Sequence, residues 1–263
     1  MKCHERRTLL FVSPHLDDVA FSCGGSLIAA SRAGEKVILC TVFTQTPTKL
    51  SPFAFELQRK NDIAPDVDYM ALRRSEDIRF VQFARIREPI WLDFPDGPVR
   101  GYSSIEDLFG KILQEDIDLE HRITRSLSEV IRSESVSEVY APACNGGHVD
   151  HRIVRAAVIN ARQEQKRRSK LYFYEEIPYA LRRKPSTWKP GRDWIAEPRE
   201  ITELLRGKIT GMACYRSQIP SQFKSRLRMK IMTGNHARRI IVKKGQKGAF
   251  ELLWLAPNPG EKT

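Results

Sequence analysis

Apolar and polar positions along the first 175 residues follow two alternating rhythms. Continuous apolar runs, TLLFVS at 8–13 and KVILCTVF at 36–43, have the length of strands buried on both faces. Shorter runs at 89–94, 137–142 and 170–174 read the same way. The stretches at 20–33, 67–84, 119–132 and 151–165 are amphipathic and predict helices, with Gly34 as the stop of the first. Strands alternating with helices predict an α/β fold, a doubly wound, mainly parallel sheet with helices on both faces. The expected strand order is 3-2-1-4-5.

The remaining segments are less regular. Residues 44–66 contain Pro47, Pro52 and Pro65 and read as a long loop, either a lid or specificity wall or a variable surface excursion. Beyond the fifth strand, 199–215 reads as a helix, and 239–243 and 249–255 as short strands. Residues 184–198, with three prolines, are the best candidate for a linker or surface excursion. No repeat or low-complexity segment interrupts the chain. One domain over residues 1–263 is expected, with a basic, less regular C-terminal portion from about residue 222.

Composition supports this picture: 41% hydrophobic residues in 263 suffice for one sizeable core. No apolar run reaches the roughly 18 residues of a membrane span. The first ten residues are charged and too short in apolar length for a secretory signal, so a cytoplasmic protein is expected. Five scattered cysteines without a CxxC pair argue against a disulfide framework, and Cys23 and Cys40 read as small apolar filler.

Net charge is +12, and residues 204–250 carry twelve Lys and Arg with no Asp or Glu. That stretch suits an anionic partner, such as a phosphorylated substrate or peripheral contact with a membrane surface, or is simply a solvated basic face. It has no aromatic stacking motif or recognition helix, so nucleic acid is not expected as a partner. Oligomeric state is not legible.

Two clusters carry the chemistry. His15, Asp17 and Asp18 directly follow the first strand. Imidazole nitrogen and carboxylate oxygen are zinc donors, and catalytic zinc sites use three protein ligands. His15 and Asp18 can turn toward one metal, with Asp17 beside it as general base. Helix capping explains one aspartate but neither the histidine nor the second carboxylate. The second cluster, His148, Asp150 and His151, follows the fourth strand behind Gly146 and Gly147. Asp150 can orient an imidazole through a ring N–H. In the order 3-2-1-4-5, strands one and four are neighbours whose helices leave on opposite faces, so both clusters line one crevice.

PHLDD at 14–18 with the following SCGG, and HVDHR at 148–152, resemble the PIG-L/LmbE-like N-acetylglucosaminyl deacetylases. Arg73-Arg74-Ser75-Glu76, Pro95-Asp96-Gly97, Lys208 and Tyr215-Arg216-Ser217-Gln218 fit further motifs of that family. The resemblance implies a Rossmann-like fold and one Zn2+ per chain held by His15, Asp18 and His151. It implies Asp17 as general base, His148 as carbonyl polariser or acid, and Arg73 and Asp96 as sugar contacts. Fe2+ is an alternative, since these donors suit several metals. Leu16 stands where proline is commoner and Val19 where an acidic residue is frequent, but no ligand position changes. No tyrosine lies just before His148, where some members carry one.

The implied reaction is hydrolysis of an N-acyl, chiefly N-acetyl, amide on an amino sugar or glycoconjugate small molecule. Two rivals remain: a zinc amidase acting on a larger or thiol-conjugate amide, and a non-catalytic sugar-binding module on the same fold. A serine hydrolase would need a GxSxG elbow, which the sequence lacks.

Overall fold

A computed structural model of the chain describes residues 6–165, 169–181, 188–240 and 247–257. Seven strands form one sheet: β1 (Thr8–Ser13), β2 (Lys36–Phe43), β3 (Ile90–Phe94), β4 (Glu138–Pro142), β5 (Lys170–Tyr174), β6 (Ile195–Glu200) and β7 (Phe250–Leu255). Their order is β3-β2-β1-β4-β5-β7-β6. The first five pair in parallel in the expected order 3-2-1-4-5. β7 then adds antiparallel to β5, and β6 antiparallel to β7.

Nine helices accompany them: α1 (Asp18–Arg32), α2 (Pro52–Lys60), α3 (Tyr69–Ala84), α4 (Ile105–Leu108), α5 (Asp116–Ser133), α6 (Val149–Gln163), α7 (Leu205–Met212), α8 (Ile219–Phe223) and α9 (Arg226–Arg239), counted among the described residues.

The period of two along each strand divides the core. Leu9, Phe11, Val37 and Leu39 face one way, onto α1, α3 and α7. Leu10, Val12, Ile38 and Cys40 face the other, onto α5 and α6. Both faces being covered explains why the strands read as continuous apolar runs rather than alternating ones.

Four expectations need correction. Residues 44–66 are not one loop, because α2 lies within them. Its Pro52 is the first helical residue, where the missing N–H is harmless, and the Ser51 side chain accepts from Ala54 N–H at 3.0 Å. Residues 199–215 are not one helix: Arg199 and Glu200 end β6, and the helix begins at Leu205. In 184–198, residues 184–187 lie outside the described residues, and the end of the segment is sheet, with Pro198 on an edge strand where a missing donor is tolerated. Finally, Arg239 is the last residue of α9, not a strand residue, and 241–243 lie outside the described residues. The expected strand at 249–255 is β7.

The SCGG segment is a break inside α1, where Cys23 leaves helical conformation (φ −126°, ψ 25°). The helix restarts with the Gly25 and Ser26 N–H groups donating to the Glu251 carboxylate at 2.8 and 2.7 Å. Buried Lys208 neutralises Glu251 at 2.7 Å and also donates to Ser22 O at 2.8 Å. A Cβ at Gly25 would meet Ile201 Cγ2 at 2.8 Å and Glu251 Oε1 at 2.9 Å, so glycine allows this close approach. Cys23, Cys40, Cys144 and Cys214 are free thiols, and Cys3 lies outside the described residues.

Candidate active site

Both clusters meet at the C-terminal edge of the sheet, where β1 and β4 lie side by side. Ser13 shapes the first turn: its hydroxyl donates to His15 O at 2.6 Å and accepts from Val19 N–H at 3.2 Å. Asp17 thereby enters the crevice and Asp18 becomes the first residue of α1. The Asp17 side chain makes no capping bond, so capping does not account for it. On the other side Gly147 turns the backbone at φ 80° into α6, which His148 caps by accepting from Asp150 N–H at Nδ1, 3.2 Å.

The imidazoles are held from behind. His15 Nε2 bonds Asp150 Oδ2 at 2.8 Å, and His151 Nδ1 bonds Glu176 Oε1. Their other nitrogens turn toward one carboxylate oxygen: Asp18 Oδ2 lies 3.2 Å from His15 Nδ1 and 3.5 Å from His151 Nε2. Ligands on a tetrahedral zinc, each about 2.0–2.1 Å from the ion, stand about 3.3–3.4 Å apart. The residues present therefore fit a zinc ion in donor chemistry and in spacing. His148 stands beside them, and the donor atoms of His15, His148 and His151 lie within 4.8 Å of one another. Those three histidines form a second ligand set that shares two members with the first.

The carboxylates differ in state for visible reasons. Asp150 is fully buried and does not line the cavity; it accepts from Arg100 Nη2 at 2.7 Å and from Gly97 N–H at 3.0 Å. Burial works against its charge, but Arg100 and His15 hold it well below the usual carboxylate range. Burial likewise opposes ionisation of Asp18, and His151 and His15 overcome it. Asp17 has only a long contact, 3.4 Å, to Arg73, so burial and the Asp18 charge push it up to about 7. A carboxylate poised there is suited to take and return a proton.

Burial tends to lower the histidines. The hydrogen bonds to Asp150 and Asp18 outweigh it and push His15 up to about 10. His151 is raised by Asp18 and Glu176 against burial. His148 has no such partner among the described residues, and burial takes it down to about 3. With Nδ1 accepting from the backbone, a neutral His148 carries its proton on Nε2.

A cavity of about 620 Å³ opens over this floor, lined by His15, Asp17, Asp18, His148 and His151 together with Arg73 and Asp96. Every expected site residue except Asp150 therefore reaches it. Arg73 lies over the Tyr69 ring at 5.6 Å, and its buried Nε has no hydrogen-bond partner among the described residues. The same holds for Asp96 Oδ1, and burial followed by the Asp150 charge raises this carboxyl. Glu76 is not in the cavity: it takes the Ser217 N–H and hydroxyl at 2.9 and 2.6 Å, tying α3 to the segment before α8.

Sequence reasoning missed Glu176 and Arg100. Glu176 carried one usable signal: it follows β5, whose C-terminal end lies on the same edge of the parallel sheet. Arg100 carried none, since it reaches Asp150 only through the tertiary fold.

The fold and floor define a class: a doubly wound scaffold with a histidine cluster that fits a metal site at the crevice between the first and fourth strands. Residues 10–162, more than half of the chain, match the family described as GlcNAc-PI de-N-acetylase, PIG-L. A 2'-N-acetylparomamine deacetylase from Streptomyces fradiae is 34% identical over 217 residues, covering 81% of this chain and 73% of the relative. A second 2'-N-acetylparomamine deacetylase, from Niallia circulans, is 23% identical over 277 residues, covering 95% and 91%. Among solved structures, a zinc-inhibited form of teicoplanin deacetylase superposes with a TM-score of 0.82 at 25% identity, covering 94% of this chain and 97% of that one.

The chain belongs to the PIG-L family of N-deacetylases. Its activity is hydrolytic N-deacetylation. No described helix is long and apolar enough to cross a membrane.

Proposed function

We propose that the chain removes the acetyl group from the nitrogen of an N-acetylated amino sugar or glycoconjugate, with one zinc ion held by His15, Asp18 and His151. The observation that carries this reading is the shared oxygen. His15 and His151 each point one nitrogen at Asp18 Oδ2 while a carboxylate fixes the other, and Asp17 lines the cavity alongside, held only by the 3.4 Å contact to Arg73. When bound, a zinc ion supplies a Lewis acid that polarises the amide carbonyl and acidifies water.

The protein groups do the rest. Asp17 takes a proton from water as its oxygen attacks the carbonyl carbon. His148 donates its Nε2–H to the carbonyl oxygen as negative charge gathers there. This neutral-donor role follows from the backbone bond at its Nδ1 and is favoured over proton transfer from an imidazolium. As the C–N bond breaks, Asp17 returns its proton to the leaving nitrogen, giving acetate and a free amine. Asp150 and Glu176 act as positioning residues through His15 and His151. Arg73 and Asp96 keep their role as contacts to the sugar, supported by their place in the cavity lining.

Both relatives from Streptomyces fradiae and Niallia circulans are named for an N-acetylated aminoglycoside, so that class leads the substrate panel. The test is amine release from N-acetylglucosamine, N-acetylated aminoglycosides and acylated thiol conjugates, read by an amine-reactive fluorophore. Release from the acetylated sugars with equimolar acetate is expected. Release confined to the thiol conjugates would move the substrate class to the rival amidase.

A further inference from the structure

The cationic excess of residues 204–250 does not serve the cavity. Of the described residues in that stretch, only Gln218, Ser221 and Gln222 line it, and none is charged. We propose that the outer face of α9 is a docking surface for an anionic lipid bilayer, built from an apolar ridge of Leu227 and Ile231 set among Lys and Arg side chains. α9 runs for 14 residues from Ser225, whose hydroxyl accepts from Arg228 N–H at 3.2 Å. Its inward stripe is Met229, Thr233 and Ala237, spaced four apart. At about 100° per residue, Leu227 and Ile231 fall on a different ridge, well away from that stripe. Leu227 is 66% exposed, the most exposed large hydrophobic side chain among the described residues, and Ile231 is 50% exposed. Two aliphatic side chains one turn apart therefore face solvent together.

Cations border the ridge on both sides. The helical period puts Arg226 and Lys230 on one flank, Arg228 and Arg239 on the other, and Arg238 along the ridge, and all five are exposed. α9 contains no Asp or Glu. The ion pair it makes among the described residues is His236 with Glu175 at 2.9 Å, on the inward side. Charge and shape together select the occupant. Nucleic acid would use the cations, but α9 offers it no Phe, Tyr or Trp to stack a base, and the aliphatic ridge would stay unused. A second copy of this chain would set the same cations face to face, which repels. A bilayer interface takes both features: the acyl boundary covers the ridge, while Lys and Arg lay their stems along it and reach lipid phosphates. Two aliphatic side chains with a basic patch give reversible attachment rather than a permanent anchor.

Co-sedimentation of the full chain with vesicles tests this. One set is phosphatidylcholine alone, and the other is phosphatidylcholine mixed equally with phosphatidylserine. The wild type is expected to partition onto the anionic vesicles about tenfold or more better than onto the neutral ones, and high salt should weaken that preference. Leu227→Ser with Ile231→Ser should lower partitioning about tenfold, because aliphatic area leaves the contact. Arg228→Glu with Lys230→Glu should lower it further, by about fivefold or more for each cation. All four positions are exposed, so folding is not at stake.

Equal partitioning of the wild type onto both vesicle types would overturn the docking surface. So would unchanged partitioning in the Leu227 and Ile231 variant, which would leave a solvated basic face that attracts any anion. Binding to heparin that falls with the charge-reversed pair, without vesicle binding, would likewise overturn it and assign the face to a soluble polyanion.

Discussion

On the cavity floor each imidazole of the proposed metal triad has one nitrogen tied by a carboxylate, His15 by Asp150 and His151 by Glu176. On the α2 wall, Gln58 and Asn61 leave buried oxygens without donors among the described residues. The floor sits at the ends of central parallel strands, and its groups are aligned before any substrate arrives. The wall belongs to the segment joining β2 to α3, and its hydrogen bonding is incomplete among the described residues. Preorganised charge serves the chemistry, since nothing need reorganise during reaction. Unmet buried acceptors, by contrast, cost stability.

Breaking the floor should cost most at Asp17. Asp17→Asn is expected to lower kcat about 10²–10⁴-fold, the range of general-base catalysis, with bound metal unchanged by elemental analysis. Near-normal turnover would remove Asp17 from that role. His148→Ala should cost about 10²–10³-fold in kcat, as for loss of an oxyanion donor, again with metal retained. Loss of metal in that variant would instead place His148 among the ligands, in the three-histidine set.

Glu176→Gln tests whether the carboxylates behind the imidazoles matter, and metal affinity or activity should fall about 10–100-fold. Wild-type affinity in a competition titration with a chelator would show that His151 needs no such support.

The smallest effect concerns stability rather than chemistry. Asp77 is buried and accepts from Tyr215 OH at 2.6 Å, Trp91 Nε1 at 3.0 Å and Thr41 Oγ1 at 3.1 Å. Burial outweighs these bonds and raises it from 3.8 to about 6. Below about pH 4 the group is protonated in both folded and unfolded chains and costs nothing. As pH rises to about 6 the unfolded chain ionises first, so folded stability falls. Asp77→Asn should remove that decline. In denaturant melts its stability relative to wild type should rise by about 1–3 kcal/mol between pH 4 and pH 7. A flat difference would contradict the raised value.

The half of the molecule that builds the floor was legible in the sequence for a physical reason. Strands buried on both faces must be apolar throughout, and His15, Asp17, Asp18, His148 and His151 directly follow two such strands. The adjacency of β1 and β4 then follows from the topology of an open sheet. Elements elsewhere carry weaker signals. α2 begins with a proline that resembles a break, and α9 is dominated by basic residues over a narrow buried stripe of Met229, Thr233 and Ala237. β6 contains Pro198, which only an edge position permits. Glu176, Arg100 and Glu251 act through contacts across the chain, at separations no local pattern encodes.

The most direct measurement is acetate release during metal replacement. Protein stripped of metal by a chelator is titrated with zinc, and in parallel with Fe2+, while turnover of an N-acetylated amino sugar is followed. Activity should be absent after stripping and should rise with a break at about one ion per chain, as a single three-ligand site requires. Full activity in protein verified to be free of metal would contradict the assignment of His15, Asp18 and His151 as a catalytic metal site.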